Sequence, residues 1–375
     1  MLHPSRYCIL VLFLVSPYCR AQQRTNWDGF GLEANIIGGK VFKHTEKFKV
    51  PIPALSTAFE LHLVQQTDGR KEWQQRRNYP AWGIGLTYTD YGIDSVYGKC
   101  IGLYPTYQVP IIRSKKLEWT VRFGLGIGYV TRHYSRYPQW DTLNNAIGSH
   151  LNNFTQFTTD LRYRINSHWD VQAGLNFTHM SNAAAAQPNL GVNMYGGHIG
   201  LRYFPATSQP EKRMRKLARL PNRWLIQARL GMAINGGGSG GGPVYPCYLV
   251  SLYTSKRYAG KNKAFIGIDY SYHERIYAFL KNNEIYPGEE KQHSWKSAVF
   301  VGHEWLMGRG SFMLQVGVSI KKSYLQDGAY YEKLGYNYYL LRQEKGLLKE
   351  LYVSALLKTN KTVAELAEFG IGCSF

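Results

Sequence analysis

His179 and Ser181 stand two residues apart in the segment Phe177-Thr-His-Met-Ser-Asn182. On a β-strand, side chains two apart project from one face and can touch. An imidazole that removes the proton of a neighbouring hydroxyl is the minimal unit of nucleophilic acyl transfer. A His-x-Ser pair arises by chance in many chains, so its setting carries the weight. Counting back from the pair, Phe177, Leu175, Ala173 and Val171 share its parity, and that parity is the apolar one. Beyond the next loop, Asn193 shares parity with Tyr195, Gly197, Ile199, Leu201 and Tyr203. Three polar side chains therefore fall on an apolar strand face, all close to one loop. If that face meets hydrocarbon, they are costly and need a reason. One reason is position, because strand ends reach the headgroup level where His, Ser and Asn are tolerated. The other is a site that works on an acyl ester of a lipid lying beside the protein.

The elements around this segment have the pattern of a transmembrane β-barrel. In Glu118 to Val130, Val121, Phe123, Leu125, Ile127 and Tyr129 occupy one parity, and Arg122, Gly124, Gly126 and Gly128 the other. Apolar residues alternating with small or polar ones are the signature of a membrane-spanning strand. It recurs in Trp82, Ile84, Leu86 and Tyr88, and again in Leu314, Val316, Val318 and Ile320. No stretch has the roughly 18 apolar residues of a membrane helix. A closed barrel is then the architecture that satisfies every backbone group in lipid. The 29 Tyr, 16 Phe and 9 Trp suit aromatic girdles. The ending Glu368-Phe-Gly-Ile-Gly-Cys-Ser-Phe375 is similar to the closing strand of outer-membrane barrels. Residues 1–21 read as a signal peptide, with Arg6, an apolar run from Cys8 to Ser16, and Ala21 before the cut. The expected location is the outer membrane.

About eight strands are expected before Phe204, near 30–39, 56–65, 82–91, 97–109, 117–134, 154–165, 169–180 and 194–204. Eight more are expected near 223–235, 247–256, 264–279, 295–306, 311–324, 331–341, 349–358 and 362–375. The chain thus divides into a first half (22–204), a basic linker (205–222) and a second half (223–375). The halves resemble each other in order, as a duplicated eight-strand unit would. Two small barrels or one ring of about 14–16 strands would both explain this, and the reading leans to the single larger ring. Cys100, Cys247 and Cys373 are too few and too scattered for a disulfide framework. The Gly236–Gly242 run, GGGSGGG, reads as a surface loop rather than a phosphate cradle, because no helix pattern follows it. The formal charge of +20 favours anionic partners, and for an exported barrel these are glycolipid phosphates rather than nucleic acid.

The segment Phe177 to Asn182, with Pro188-Asn-Leu-Gly-Val-Asn193, resembles the catalytic region of the PagL-type lipid A 3-O-deacylases. Tyr79-Pro-Ala-Trp-Gly-Ile-Gly-Leu and Asn144-Asn-Ala-Ile-Gly-Ser149 extend the likeness to the larger acyloxyacyl-hydrolase-like members. The likeness covers most of residues 26–204, and the second half resembles the extension of those members less specifically. It implies an eight-stranded outer-membrane barrel with its active site on the outer surface. It implies a serine esterase with His179 as general base and Ser181 as nucleophile. The family has Glu twelve residues after the Ser; here that position is Asn193, which can orient the imidazole but cannot neutralise it. Asn189 matches an Asn expected at the oxyanion hole, and Asn182, Pro188 and Gly191 fit better as residues that shape the loop. The second half has Lys358-Thr-Asn-Lys-Thr362 where His and Ser would stand, so one active site is expected.

The function expected is therefore hydrolysis of an ester-linked acyl chain of lipopolysaccharide lipid A, with no metal or organic cofactor. A homodimer is left open. The alternatives are a non-enzymatic pore or structural barrel that keeps a degenerate motif, and an esterase acting on phospholipid or another lipid.

Overall fold

The computed structural model describes residues 27–375, apart from 137–142, 207–208, 218–221, 238–239, 241, 322–323, 326–327 and 361–362. The expected signal peptide, part of the basic linker and part of the glycine run lie outside the described residues. Among those described, no helix is long and apolar enough to cross a membrane.

The strands close into two separate antiparallel rings of eight. The first contains β1 (Phe30–Val41), β2 (Ser56–Gln66), β3 (Ala81–Asp90), β4 (Lys99–Arg113), β5 (Leu117–Val130), β6 (Leu151–Arg164), β7 (Trp169–Ser181) and β8 (Val192–Tyr203). The second contains β9 (Trp224–Gly236), β10 (Val244–Tyr258), β11 (Asn262–His273), β12 (Trp295–Met307), β13 (Gly310–Lys321), β14 (Tyr330–Arg342), β15 (Glu350–Asn360) and β16 (Val363–Ser374).

Of the two arrangements expected, the pair of eight-stranded barrels is the one formed, and the lean toward a single ring of about 14–16 strands is corrected. Leu32 of β1 pairs with Tyr203 of β8, and Gly231 of β9 pairs with Gly370 of β16, so each half returns to its own first strand. Strand count does not decide which edges meet; the contents of the rings do. Eight strands enclose a space that side chains can fill, and both rings are filled. In the first, the Tyr104 ring stacks on Phe154 at 5.0 Å and its hydroxyl donates to Glu60 at 3.0 Å. Gly85 and Gly124 make room for that ring, because a Cβ at either would come within 2.6 Å or less of it.

The rest of the first lumen is an ion network centred on Glu33. Its carboxylate receives Arg122 of β5 at 3.0 Å and Arg202 of β8 at 3.3 Å, and His62 of β2 lies 3.0 Å away. Arg122 also reaches Glu60 at 2.6 Å, and Arg202 reaches Asp170 at 2.7 Å. The second lumen uses different partners for the same purpose. Lys333 bridges Asp269 at 2.9 Å and Glu368 at 2.8 Å, and Arg229 meets Glu368 at 3.2 Å.

Outward, the walls are apolar: Leu32, Ile36, Ile84, Leu103, Leu161 and Ile199 are all exposed. Trp82, Trp119, Trp169, Tyr203 and Trp224 stand at the strand ends nearest the short turns, as an interfacial girdle requires. Apart from the loop between β2 and β3, the longer loops of the first barrel lie at the opposite end, which holds the segment after Ser181. Among the described residues, four short helices sit in loops: α1 (Glu72–Arg76), α2 (Asp94–Tyr97), α3 (Glu274–Asn282) and α4 (Glu290–His293). Helix α3 corrects the strand expected at 264–279. Ile276 and Leu280, one turn apart, bury the same helix face.

The barrels touch through named contacts. Phe123 of β5 meets Phe312 of β13 edge-on at 5.4 Å. Arg77 donates to the Asn262 side chain at 3.0 Å, and Gly236 N donates to Ala184 O at 2.7 Å.

Removing Glu33 would strand Arg122 and Arg202 in the lumen without their shared carboxylate. Glu33→Ala is expected to destabilise the first barrel by roughly 3–5 kcal/mol, read as a lower urea midpoint of the folded protein in lipid. Ile36→Leu, on the outer wall, serves as the control and should shift that midpoint little.

Candidate active site

Antiparallel pairing brings the three polar residues together. β7 and β8 run side by side with His179 directly opposite Asn193. His179 Nδ1 lies 2.7 Å from Asn193 Oδ1, and His179 Nε2 lies 3.0 Å from Ser181 Oγ. The two contacts are mutually consistent. An acceptor at Nδ1 keeps the ring proton there, which leaves Nε2 bare to receive the hydroxyl proton of Ser181. Asn193 can set this tautomer, but it brings no charge to balance an imidazolium.

The parity expected from the sequence holds along β7, where Val171, Ala173 and Leu175 face outward and Asn176, Thr178 and Met180 face the lumen. At the end of the strand the loops alter the exposure. Ser181 is only 2% exposed and Asn193 only 7%. Two loop segments pack together beside the pair, with Gly191 N donating to Ala146 O at 2.9 Å. Gly191 has φ +78°, and a Cβ there would stand 2.8 Å from His179 Cε1 and 3.0 Å from Met180 O. Only glycine fits that backbone and that contact together.

Asn182 and Asn189 differ in what they leave available. Asn182 N donates to Asn189 Oδ1 at 2.8 Å. The Asn182 side chain is spent on the loop: Nδ2 donates to Ser149 Oγ at 3.0 Å, and Oδ1 accepts from Ala186 N at 3.3 Å. Asn189 is anchored through its oxygen, which turns its NH2 group away from Asn182. In the facing loop, Asn144 Oδ1 accepts from the amides of Ala146 and Ile147, each at 3.2 Å, and so folds the segment that caps the site.

Several neighbours escaped the sequence reading. Asn153 pairs with Ser181 in register, and Thr155 pairs with His179. Thr155 Oγ1 donates to Asn153 Oδ1 at 2.8 Å. Their shared parity with Phe157 was a usable signal. His44, in the loop after β1, lies 2.9 Å from Leu190 O through Nε2; no periodicity in the sequence points to it.

An open groove of about 790 Å³ runs down the outer wall below the site, with Phe177, Leu175 and Tyr195 among its lining residues. The second barrel has no such arrangement among the described residues. Lys358 turns into its lumen and meets Glu365 at 2.8 Å. His273 lies inside too, 3.0 Å from Ser271 Oγ and 3.5 Å from Cys247 Sγ. The described residues contain no group of three or more His, Cys, Asp or Glu side chains that could hold a metal ion.

Comparison with known proteins gives two family matches. Residues 57–202 match the model "Lipid A 3-O-deacylase (PagL)", and residues 222–375 match "Acyloxyacyl hydrolase, C-terminal domain". No curated protein matches the chain. Among solved structures, the outer membrane enzyme PagL is 17% identical over 45% of this chain and 97% of its own, with a TM-score of 0.31. Neisserial surface protein A is 12% identical over 47% of this chain and 97% of its own, with a TM-score of 0.32. A triple mutant of the Rhodopseudomonas blastica porin is 9% identical over 92% of this chain and 99% of its own, with a TM-score of 0.19. The two family matches fall one on each barrel, the deacylase model on the first and the acyloxyacyl hydrolase C-terminal model on the second.

Proposed function

We propose that this chain is an outer-membrane serine esterase that removes an ester-linked acyl chain from the lipid A part of lipopolysaccharide. The observation that carries the reading is the hydrogen-bonded series Ser181–His179–Asn193 at the head of an apolar outer-wall groove. The match of residues 57–202 to the lipid A 3-O-deacylase model supports the substrate class. So do the exposed lysines 40, 43, 47 and 49 at and after the end of β1, with Glu46 the one acid among them, because lipid A phosphates attract such a cluster.

In the proposed reaction, Ser181 Oγ attacks the ester carbonyl while His179 Nε2 takes its proton. Collapse of the tetrahedral intermediate breaks the bond to the sugar oxygen, and the imidazolium returns the proton to that leaving oxygen. Water, activated by the same imidazole, then cleaves the acyl-serine and releases the fatty acid. The Asn189 NH2 group is the side-chain donor proposed for the oxyanion. Asn193 holds the tautomer throughout. The alternative of an open pore has little support in lumens crossed by ion pairs. A phospholipid esterase would use the same chemistry, and the lysines favour the anionic glycolipid over it.

Mass spectrometry of lipid A from cells expressing the chain tests this reading. Loss of one acyl chain is expected, and it should vanish in Ser181→Ala. Lipid A left intact by a folded wild-type barrel would overturn the proposal. Asn193→Glu should raise the hydrolysis rate by about tenfold or more, because a carboxylate there stabilises the imidazolium. A slower variant would remove Asn193 from the orienting role. Gly191→Ala should cost about 10²-fold in kcat by displacing the imidazole, while the protein still migrates as a folded barrel.

A further inference from the structure

The groove below the site has a feature that neither the relay nor the barrel requires. Around the wall, outward residues form rows across neighbouring strands. The row of His179 and Asn193 is followed by Phe177 opposite Tyr195, then Leu175 opposite Gly197, which itself faces Gly38 of β1. The next row down is closed by Ile36 opposite Ile199, each 66% exposed. Two adjacent strands thus present bare backbone at one level of an otherwise bulky wall.

Most glycines of the first barrel are explained by crowding, since a Cβ would strike backbone or a ring. These two are not. A Cβ on Gly38 would meet nothing within 4 Å, and one on Gly197 would meet only Gly174 O at 3.7 Å. Both have extended backbones and no positive φ. Glycine inside a strand is destabilising relative to alanine, so a site with room for any side chain has no packing reason to hold one. A strand glycine in open space marks a place where something else approaches the backbone closely.

The geometry points to a saturated acyl chain as that occupant, laid from the ester at Ser181 between the aromatic row and the isoleucine row, with the Gly38–Gly197 notch receiving its far end. This rests on the esterase reading and adds what sets its chain-length preference. The groove begins one row below the site, since Phe177 and Tyr195 line it and stand next to His179 and Asn193 along β7 and β8. From the His179 row to the glycine row is four residues, about 13 Å along the strand. One leaflet of a bilayer hydrocarbon core is about 15 Å deep, so a chain that fills a leaflet would reach the notch and stop against Ile36 and Ile199. A short chain would not.

The test uses the full chain in lipid with p-nitrophenyl butyrate, decanoate and palmitate. In Gly38→Leu/Gly197→Leu the ratio of kcat/KM for palmitate over butyrate should fall by about tenfold or more, the scale of misfitted methylenes in an apolar pocket. Ala355→Leu, at an outward position on the second barrel, controls for a bulkier wall. An unchanged ratio in the double variant overturns the proposal. A second readout does not need turnover. A palmitoyl ester bearing a diazirine at its terminal carbon should label β1 and β8 near Gly38 and Gly197, and the leucines should displace that label. Labelling elsewhere overturns the groove assignment even if no ester is cleaved. Correct labelling without cleavage would instead sink the esterase reading and leave the groove standing.

Discussion

Glu33 is the tie on which the first barrel turns. A carboxylate at the centre of an eight-stranded lumen is costly to desolvate, and it persists there only if the surrounding cations meet it with good geometry. Here the arginines come from three other strands, Arg122 on β5, Arg162 on β6 and Arg202 on β8, and the imidazole of His62 on β2 lies 3.0 Å from the same carboxylate. A set of partners so widely spread in sequence can form only when the ring is closed. The same electrostatics that penalise an open form hold β1 against β8, and those two strands carry one side of the groove and one member of the polar series. With closure secured from within, the outer face of the first barrel is free to carry chemistry.

Much of this was legible in the chain because strand periodicity is strict. A period of two gave the strand positions, and the parity of Val171 to Ser181 put His179 and Ser181 on one face before any coordinates. Asn193 could be named from its parity and from its place after the loop, and the register then set it opposite His179. Ring closure was not legible. Which edge meets which is a matter of lumen contents such as Glu33 and Lys333, whose partners lie on strands far from them in the sequence. Helix α3 was absorbed into the strand before it, because its Ile276 and Leu280 sit in a segment too short for a helical period to stand out. The burial of Ser181 was equally hidden, since it comes from contacts between two loops, Asn144 to Gly148 and Asn182 to Gly191. His44 shows the limit of pattern reading, because a loop residue has no period to betray it.

The second barrel offers a natural contrast. Ser271 and His273 are also two apart on one strand, and they also lie within hydrogen-bonding distance. Their parity is the opposite one. They face a lumen packed with Lys296, Glu365 and Lys358, where the nearest cavities measure about 20 and 40 Å³. Room for a water molecule is not room for a lipid ester. The same residue pair is therefore a packing element on one face of a strand and a candidate reaction centre on the other.

A site on the outer wall of a plugged barrel also changes what concentration means for this protein. Substrate and product would both remain in the plane of the membrane, so encounters would be set by the mole fraction of lipid at the barrel's rim rather than by molarity in water. Dilution of the cells would leave such a rate unchanged. Replacement of neighbouring lipids, or a wall too crowded by other membrane proteins for one flank to meet fresh lipid, would slow it directly.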